Sequence, residues 1–250
     1  MDAIKDLIFS VADDALIMGH RNSEWTGLGP TLEEDIAFSS MSQDKIGHAN
    51  TLYQILNTEF GELDPDTLAF KRAAKDFRCC HFVELPTQDY AFALMRHFLF
   101  DHAEGLRYDL LRDSSYGSLA DLARKIHGEL KYHTLHADTW AKHLGKGTEE
   151  SATRMQTALN ESFPLALGIF EPGDFEGELM DTAVFVGEEV LKDSWLATIQ
   201  PILEGAGLKM PDSNKVTPAF GGRKGHHTEH LEPLLKEMRE VLSSEPDAEW

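Results

Sequence analysis

Four stretches of the chain, residues 2–20, 32–60, 88–113 and 116–144, contain no proline and return apolar side chains to one face every three or four positions. That is the period of the α-helix; strands alternate every second residue, and no strand-like alternation of any length occurs. The first run carries Ile4, Leu7, Ile8, Val11, Ala15 and Met18 on one stripe. The second follows Thr31, carries Ile36, Met41, Ile46, Leu52 and Ile55, and stops at Gly61. Phe92, Met95, Phe98, Leu99, Leu106 and Leu110 mark the third, and Gly145 and Gly147 close the fourth. A fifth run opens at Thr148-Glu-Glu-Ser and reaches about residue 170, with Pro164 expected to kink or split it. Residues 62–88 read as a short helix plus loop, and 171–187 as a looser region. Helical spacing resumes near 188–205 and again from about residue 230, and no internal repeat is present. The expected fold is all-α: an antiparallel helical bundle with a C-terminal helical extension. We read it as one domain, with the bundle core over about 1–170 and the extension over about 171–250.

Charge narrows the partners. With 23 Lys+Arg against 43 Asp+Glu, the formal charge is −20, which argues against nucleic acid and anionic membrane. The N-terminus MDAIKDLIFSVADD lacks a basic segment followed by a long apolar run, so no secretory signal is read. The most apolar window, FALMRHFLF, is broken by Arg96 and His97 and is too short to span a bilayer. Cys79 and Cys80 are adjacent and make a poor structural bridge. A cytoplasmic protein is expected.

Bundles that hold two irons draw one acid from each of two helices and Glu-x-x-His from each of the other two. Here the second run offers His48 with Lys45 three residues before it, and the fourth offers His133 with Leu130 in the same relation. Asp101 interrupts an apolar run on the third, and Asp14 is the candidate acid on the first. Moving an acid one position earlier, to Asp44 or Glu129, is expected to turn it about 100° off the inward line. An ammonium ~4 Å from each unit of metal charge costs about 4 kcal/mol at an effective dielectric near 20, and about twice that against a divalent ion. Asp14, Lys45, His48, Asp101, Leu130 and His133 therefore read as a vestigial metal site, with no metal and no catalytic residue in this chain. The Lys45 ammonium is expected to stand in the metal's space, paired with Asp101. The competing reading is an autonomous oxidase with one metal held by His48, His133 and Asp101. A ligand-free helical scaffold is the third.

The segments DDALIMGHRNSEWTGLGPTLEEDIAFSSMSQDKIGHA, DTLAFKRAAKDFR, FVELP, KYHTLHADTWAKHLGKGTEES and GGRKGHHTEHLEPLLKEM, spread from end to end of the chain, resemble the C subunits of bacterial phenylacetyl-CoA epoxidases. The resemblance implies a ferritin-like fold and a place beside a homologous catalytic A subunit that holds the di-iron centre, and further copies are expected to make a heterotetramer. It implies epoxidation of the ring of phenylacetyl-CoA by that complex. Electrons would come from NADPH through a reductase carrying flavin and an iron–sulfur centre, and a further small accessory subunit is needed. In such complexes the C subunit is regarded as a non-catalytic support that helps to bind the CoA thioester, with no cofactor of its own.

Lys71, Arg72, Lys75 and Arg78 form a basic cluster in an acidic chain, a plausible seat for phosphates. The plain alternative is a solvated face paired with Asp66 and Asp76. The resemblance points to Asp76, Phe77, Arg78 and Cys79 as an approach to CoA, and more weakly to Gly177, Glu178 and Leu179, although Glu178 would repel phosphate. Gly221-Gly-Arg-Lys-Gly-His-His-Thr-Glu-His is a second cationic island, fitting an anion site or a subunit-docking segment. No cysteine accompanies its histidines in sequence, so a metal cluster is not expected there. His133 and His136, one turn apart, read as a histidine-rich helix face rather than a zinc site.

Overall fold

Helix α1 (Asp2–Ser23) turns back into α2 (Leu32–Phe60), so that the two lie along one another. A crossover carrying the short helices α3 (Pro65–Phe70) and α4 (His81–Glu84) leads to the second hairpin, α5 (Tyr90–Leu111) and α6 (Gly117–Gly145). Against α5 pack α7 (Glu149–Leu167) and α9 (Glu188–Gly205), with α8 (Glu176–Asp181) between them in sequence. Helices α10 (Leu231–Met238) and α11 (Glu240–Ser244) follow. This computed structural model describes residues 1–244; the last residues of the expected extension, 245–250, lie outside it. The fold is an all-α, ferritin-like antiparallel bundle, and no strand occurs among the described residues.

Local chemistry sets the element ends. The Thr31 hydroxyl accepts from Glu34 N at the start of α2, and Asp89 accepts from Phe92 N at the start of α5. Thr148 and Ser151 form a reciprocal capping box that opens α7. Gly61 ends α2 at φ 72°, a left-handed conformation that costs glycine nothing. Pro164 does not split α7, which continues to Leu167 and then tightens into a 3₁₀ turn at Gly168–Phe170. The Pro164 carbonyl accepts Ala219 N at 3.0 Å, tying the connector after α9 to α7.

A large apolar cluster runs from Ala3 to Leu235. Helix α9 supplies Leu191, Trp195, Ile199 and Leu203 to it, and Trp195 Nε1 donates to Leu99 O at 2.9 Å. A smaller cluster of Trp25, Ala37, Phe38, Met41 and Ala93 fills one end. Ile36 lies outside both at 60% exposure, because it sits about 140° around the helix from Met41. No described helix is long and apolar enough to cross a membrane.

Candidate functional site

Three helices deliver a polar cluster to the middle of the bundle. From α2, fully buried Lys45 donates to Asp101 Oδ1 and, at 2.6 Å, to Glu104 Oε2, both on α5. The ammonium lies 4.8 Å from the centre of the Phe100 ring. His97, one turn before Asp101, sets Nδ1 against its second oxygen, Oδ2. His97 Nε2 then meets His136 Nδ1 at 3.1 Å, and His136 Nε2 meets Glu34 Oε2 at 3.0 Å, where Tyr90 also donates. The result is a ladder of polar side chains along the interior from Glu104 to Tyr90.

The two helix histidines are held by the helix opposite. His48 Nε2 lies 2.7 Å from Glu129 Oε2, and His133 Nε2 lies 3.0 Å from Asp44 Oδ2. Asp44 and Glu129 therefore do not turn away, contrary to the sequence expectation. Each stands four residues before its own helix's histidine, only about 40° from it around the axis, and reaches across to the other helix. Leu130 is buried and apolar. The Nδ1 atoms of His48 and His133 are buried with no hydrogen-bond partner among the described residues.

Asp14 is not in this group. It accepts from Cys80 N at 2.7 Å and from Arg223 Nη2 at 2.6 Å, while neighbouring Asp13 takes Tyr53, Arg72 and Arg78 N. The acids of α1 organise the crossover and the tail. The sequence reading overlooked Glu104, His97 and Glu34; the signal was there in the spacing, since His97, Asp101 and Glu104 share one face of α5.

The electrostatics are those of a closed ion cluster. Burial acts to depress the Lys45 pKa, but the Asp101 and Glu104 charges outweigh it and hold the amine above its ordinary value. Burial likewise acts to raise Asp101, yet Lys45 and then His97 hold it well below the usual carboxylate range. Glu104 is raised, by burial first, against the pull of Lys45. Burial pushes His133 down to about 3, so its imidazole is neutral near pH 7.

Ligand atoms of Asp101, Glu104 and His133 lie within 4.8 Å of one another, a spacing suited to a cation. The cation there is Lys45, whose Nζ bonds both carboxylates. An iron placed among them would meet the ammonium at contact distance. These residues do not fit a di-iron centre. They do not match the single-metal trio of His48, His133 and Asp101 either, because His48 lies outside the group.

Of the basic loop, Arg72 is committed inward, while Lys71 and Lys75 are exposed. Arg72 pairs with the Asp13 carboxylate at 2.5 Å rather than with that of Asp66 or Asp76, donates to the Asp76 backbone carbonyl at 3.1 Å, and lies 4.0 Å from the Phe77 ring centre. Phe77, Cys79 and Leu179 are buried, so their side chains offer no surface to a thioester; Asp76, Gly177 and Glu178 are exposed and Arg78 partly so. Arg78 and Leu179 line one cavity of about 20 Å³, but Asp6, Glu171, Glu176 and Glu188 line it too and would repel phosphate. The glycine-rich tail docks on its own chain. Buried Arg223 donates to Asp14, Arg78 O and Ile169 O, and a Cβ on Gly222 would stand 2.1 Å from Cys79 O. That close approach is what the glycine permits. It also brings Cys79 beside His227, correcting the expectation that no cysteine joins the tail histidines.

The fold and its interior define a class: a ferritin-like bundle with a buried ammonium–carboxylate cluster at its centre. The chain belongs to the Phenylacetic acid catabolic protein family, which matches residues 1–250. It is 29% identical over 250 residues, covering 100% of both chains, to the C subunit of the 1,2-phenylacetyl-CoA epoxidase of Escherichia coli (strain K12).

Proposed function

We propose that this chain is a non-catalytic, substrate-assisting subunit of a cytoplasmic multicomponent di-iron monooxygenase that epoxidises the ring of phenylacetyl-CoA. The observation that carries the reading is Lys45 bonded to Asp101 and Glu104 inside a bundle of a phenylacetate-catabolic family. The two imidazole Nδ1 atoms left without partners among the described residues support descent from a metal-holding bundle. The iron belongs to a homologous catalytic partner, the A subunit, in a heterotetramer. The NADPH-derived electrons come through a flavin and iron–sulfur reductase, and one more small accessory protein completes the set.

Pairing with that partner is supported by the outer face of α2 and α6. Leu32, Ile36, Tyr132 and Leu135 are 70%, 60%, 48% and 64% exposed on two helices that their cross-helix His–acid contacts place side by side. On the same helices a Cβ at Gly47 or Gly128 would meet nothing within 4 Å. For the CoA moiety the accessible candidates are Asp76 and Arg78, with exposed Lys71 and Lys75 beside them, and Gly177 and Glu178 farther along the chain.

The test is reconstitution. This chain alone, with reductase, NADPH and phenylacetyl-CoA, consumes no oxygen; adding the catalytic partner restores substrate-dependent consumption. Turnover by the isolated chain overturns the proposal. Arg78→Ala in the reconstituted complex weakens phenylacetyl-CoA binding, and unchanged affinity removes the CoA role from that loop.

A further inference from the structure

The tail brings a second cluster together, remote in sequence from the bundle interior and unused by the function proposed above. Cys79 Sγ lies 3.8 Å from Glu84 Oε1 and 4.0 Å from His227 Nδ1, and the last two atoms are 2.7 Å apart. Cys79 and Glu84 are fully buried, and the His227 side chain is 5% exposed. His227 Nε2 lies 3.1 Å from Phe77 O. A carbonyl only accepts, so Nε2 carries a proton there, and Nδ1 points at the carboxylate and the sulfur, where either a bridging proton or a cation would hold it. The other carboxylate oxygen, Glu84 Oε2, is fixed by Thr228 N at 2.7 Å and Thr228 Oγ1 at 2.6 Å. Three donor atoms thus converge, and two of their side chains are oriented by outer partners, as zinc ligands are.

The three distances describe a triangle whose circumscribed circle has a radius of about 2.1 Å, close to Zn–N and Zn–O bonds and slightly short of the ~2.3 Å Zn–S bond. A point just above its plane lies at bonding distance from all three atoms. Thiolate, carboxylate and neutral imidazole suit zinc among the divalent metals. Their charges cancel a divalent ion, which suits a buried site.

We propose that Cys79, Glu84 and His227 form a zinc-binding site that clamps the C-terminal tail onto the crossover, with water as fourth ligand. On binding, the thiol proton and the proton bridging His227 and Glu84 leave to solvent, the sulfur, nitrogen and oxygen bonds to zinc form, and no group is oxidised or reduced. The site joins positions 148 residues apart in sequence. Its alternative occupant is a proton shared between His227 and Glu84, and the experiment separates the two.

Full-length chain is stripped with chelator, then titrated with Co²⁺ and, separately, Zn²⁺. The expected result is one metal per chain, a thiolate-to-cobalt absorption band that Zn²⁺ abolishes, and a rise in Tm of roughly 5–10 °C at a hundredfold excess over Kd. Cys79→Ser removes the band and His227→Gln weakens affinity by more than about tenfold. Cys80→Ser and Asp101→Asn leave both intact. Absence of the band in the wild-type chain, its survival in Cys79→Ser, or its loss in Asp101→Asn overturns the proposal. The wild-type spectrum decides even if a ligand variant fails to fold.

Discussion

Lys45 carries its charge into an interior where no solvent screens it, so its value lies in the partners it keeps rather than in any net gain from pairing. Lys45→Met removes the cation and leaves Asp101 and Glu104 facing one another. We expect a loss of about 3–5 kcal/mol by urea denaturation, largely recovered when Asp101→Asn and Glu104→Gln are added. His133 gives a pH signature. With its native pKa near 3 and an ordinary value of 6.5, the unfolded chain binds the proton that the native chain refuses across that interval. Stability is therefore full above pH 6.5 and falls as pH drops, at about 1.4 kcal/mol per pH unit for this one group. His136, lowered by burial and then by His97, adds in the same direction. Asp44, facing His133, is raised by burial and then by Glu129, and opposes the trend only near the carboxylate range. Urea unfolding at pH 7 and pH 5 is expected to show the drop, and His133→Gln to flatten it.

At the scale of the element, the helices needed little help from tertiary contacts to find their ends. The α2 span matches the periodic run at both termini, because Thr31 and Gly61 are local stop signals that act through their own backbone geometry. The crossover and tail are the opposite case. Residues 75–84 and 221–228 have little periodicity, and their conformation is set by where Asp13 and Asp14 of α1 accept their amides and guanidinium groups. Gly222→Ala tests this dependence. Its Cβ would sit 2.1 Å from a backbone oxygen, Cys79 O, which has no rotamer to yield. We expect a loss of roughly 1–3 kcal/mol together with faster amide exchange over 77–84, while the α2 amides keep their protection. Uniform loss of protection along the chain would mean that the tail and bundle unfold as one unit.

For the molecule as a whole, the exposed α2–α6 face is where assembly should be decided. Leu135 is 64% exposed, so Leu135→Asp leaves the chain's own stability within about 0.5 kcal/mol. In sedimentation with the catalytic partner proposed above, the same substitution is expected to weaken association by tenfold or more, since it would bury an unpaired charge at the proposed interface. Equal affinity would move the docking surface elsewhere.

The amino-acid order by itself determined the helices and the presence of His48, His133, Asp101 and a lysine on inward faces, since helical period is a local property fixed by 100° per residue. It also carried the family, through segments distributed along the whole chain. What it could not decide was which acids meet which partners. Asp14 looked available to the interior and is claimed by Arg223, 209 residues away; Asp44 and Glu129 looked displaced and reach the opposite helix. Glu104 becomes the second carboxylate for Lys45 only when α2 and α5 are packed at their final depth. Cys79 and His227 likewise meet only after the tail has folded back. Pairings of this kind depend on the distance and rotation between elements, quantities set by the packing of the common apolar core and absent from any local stretch of sequence.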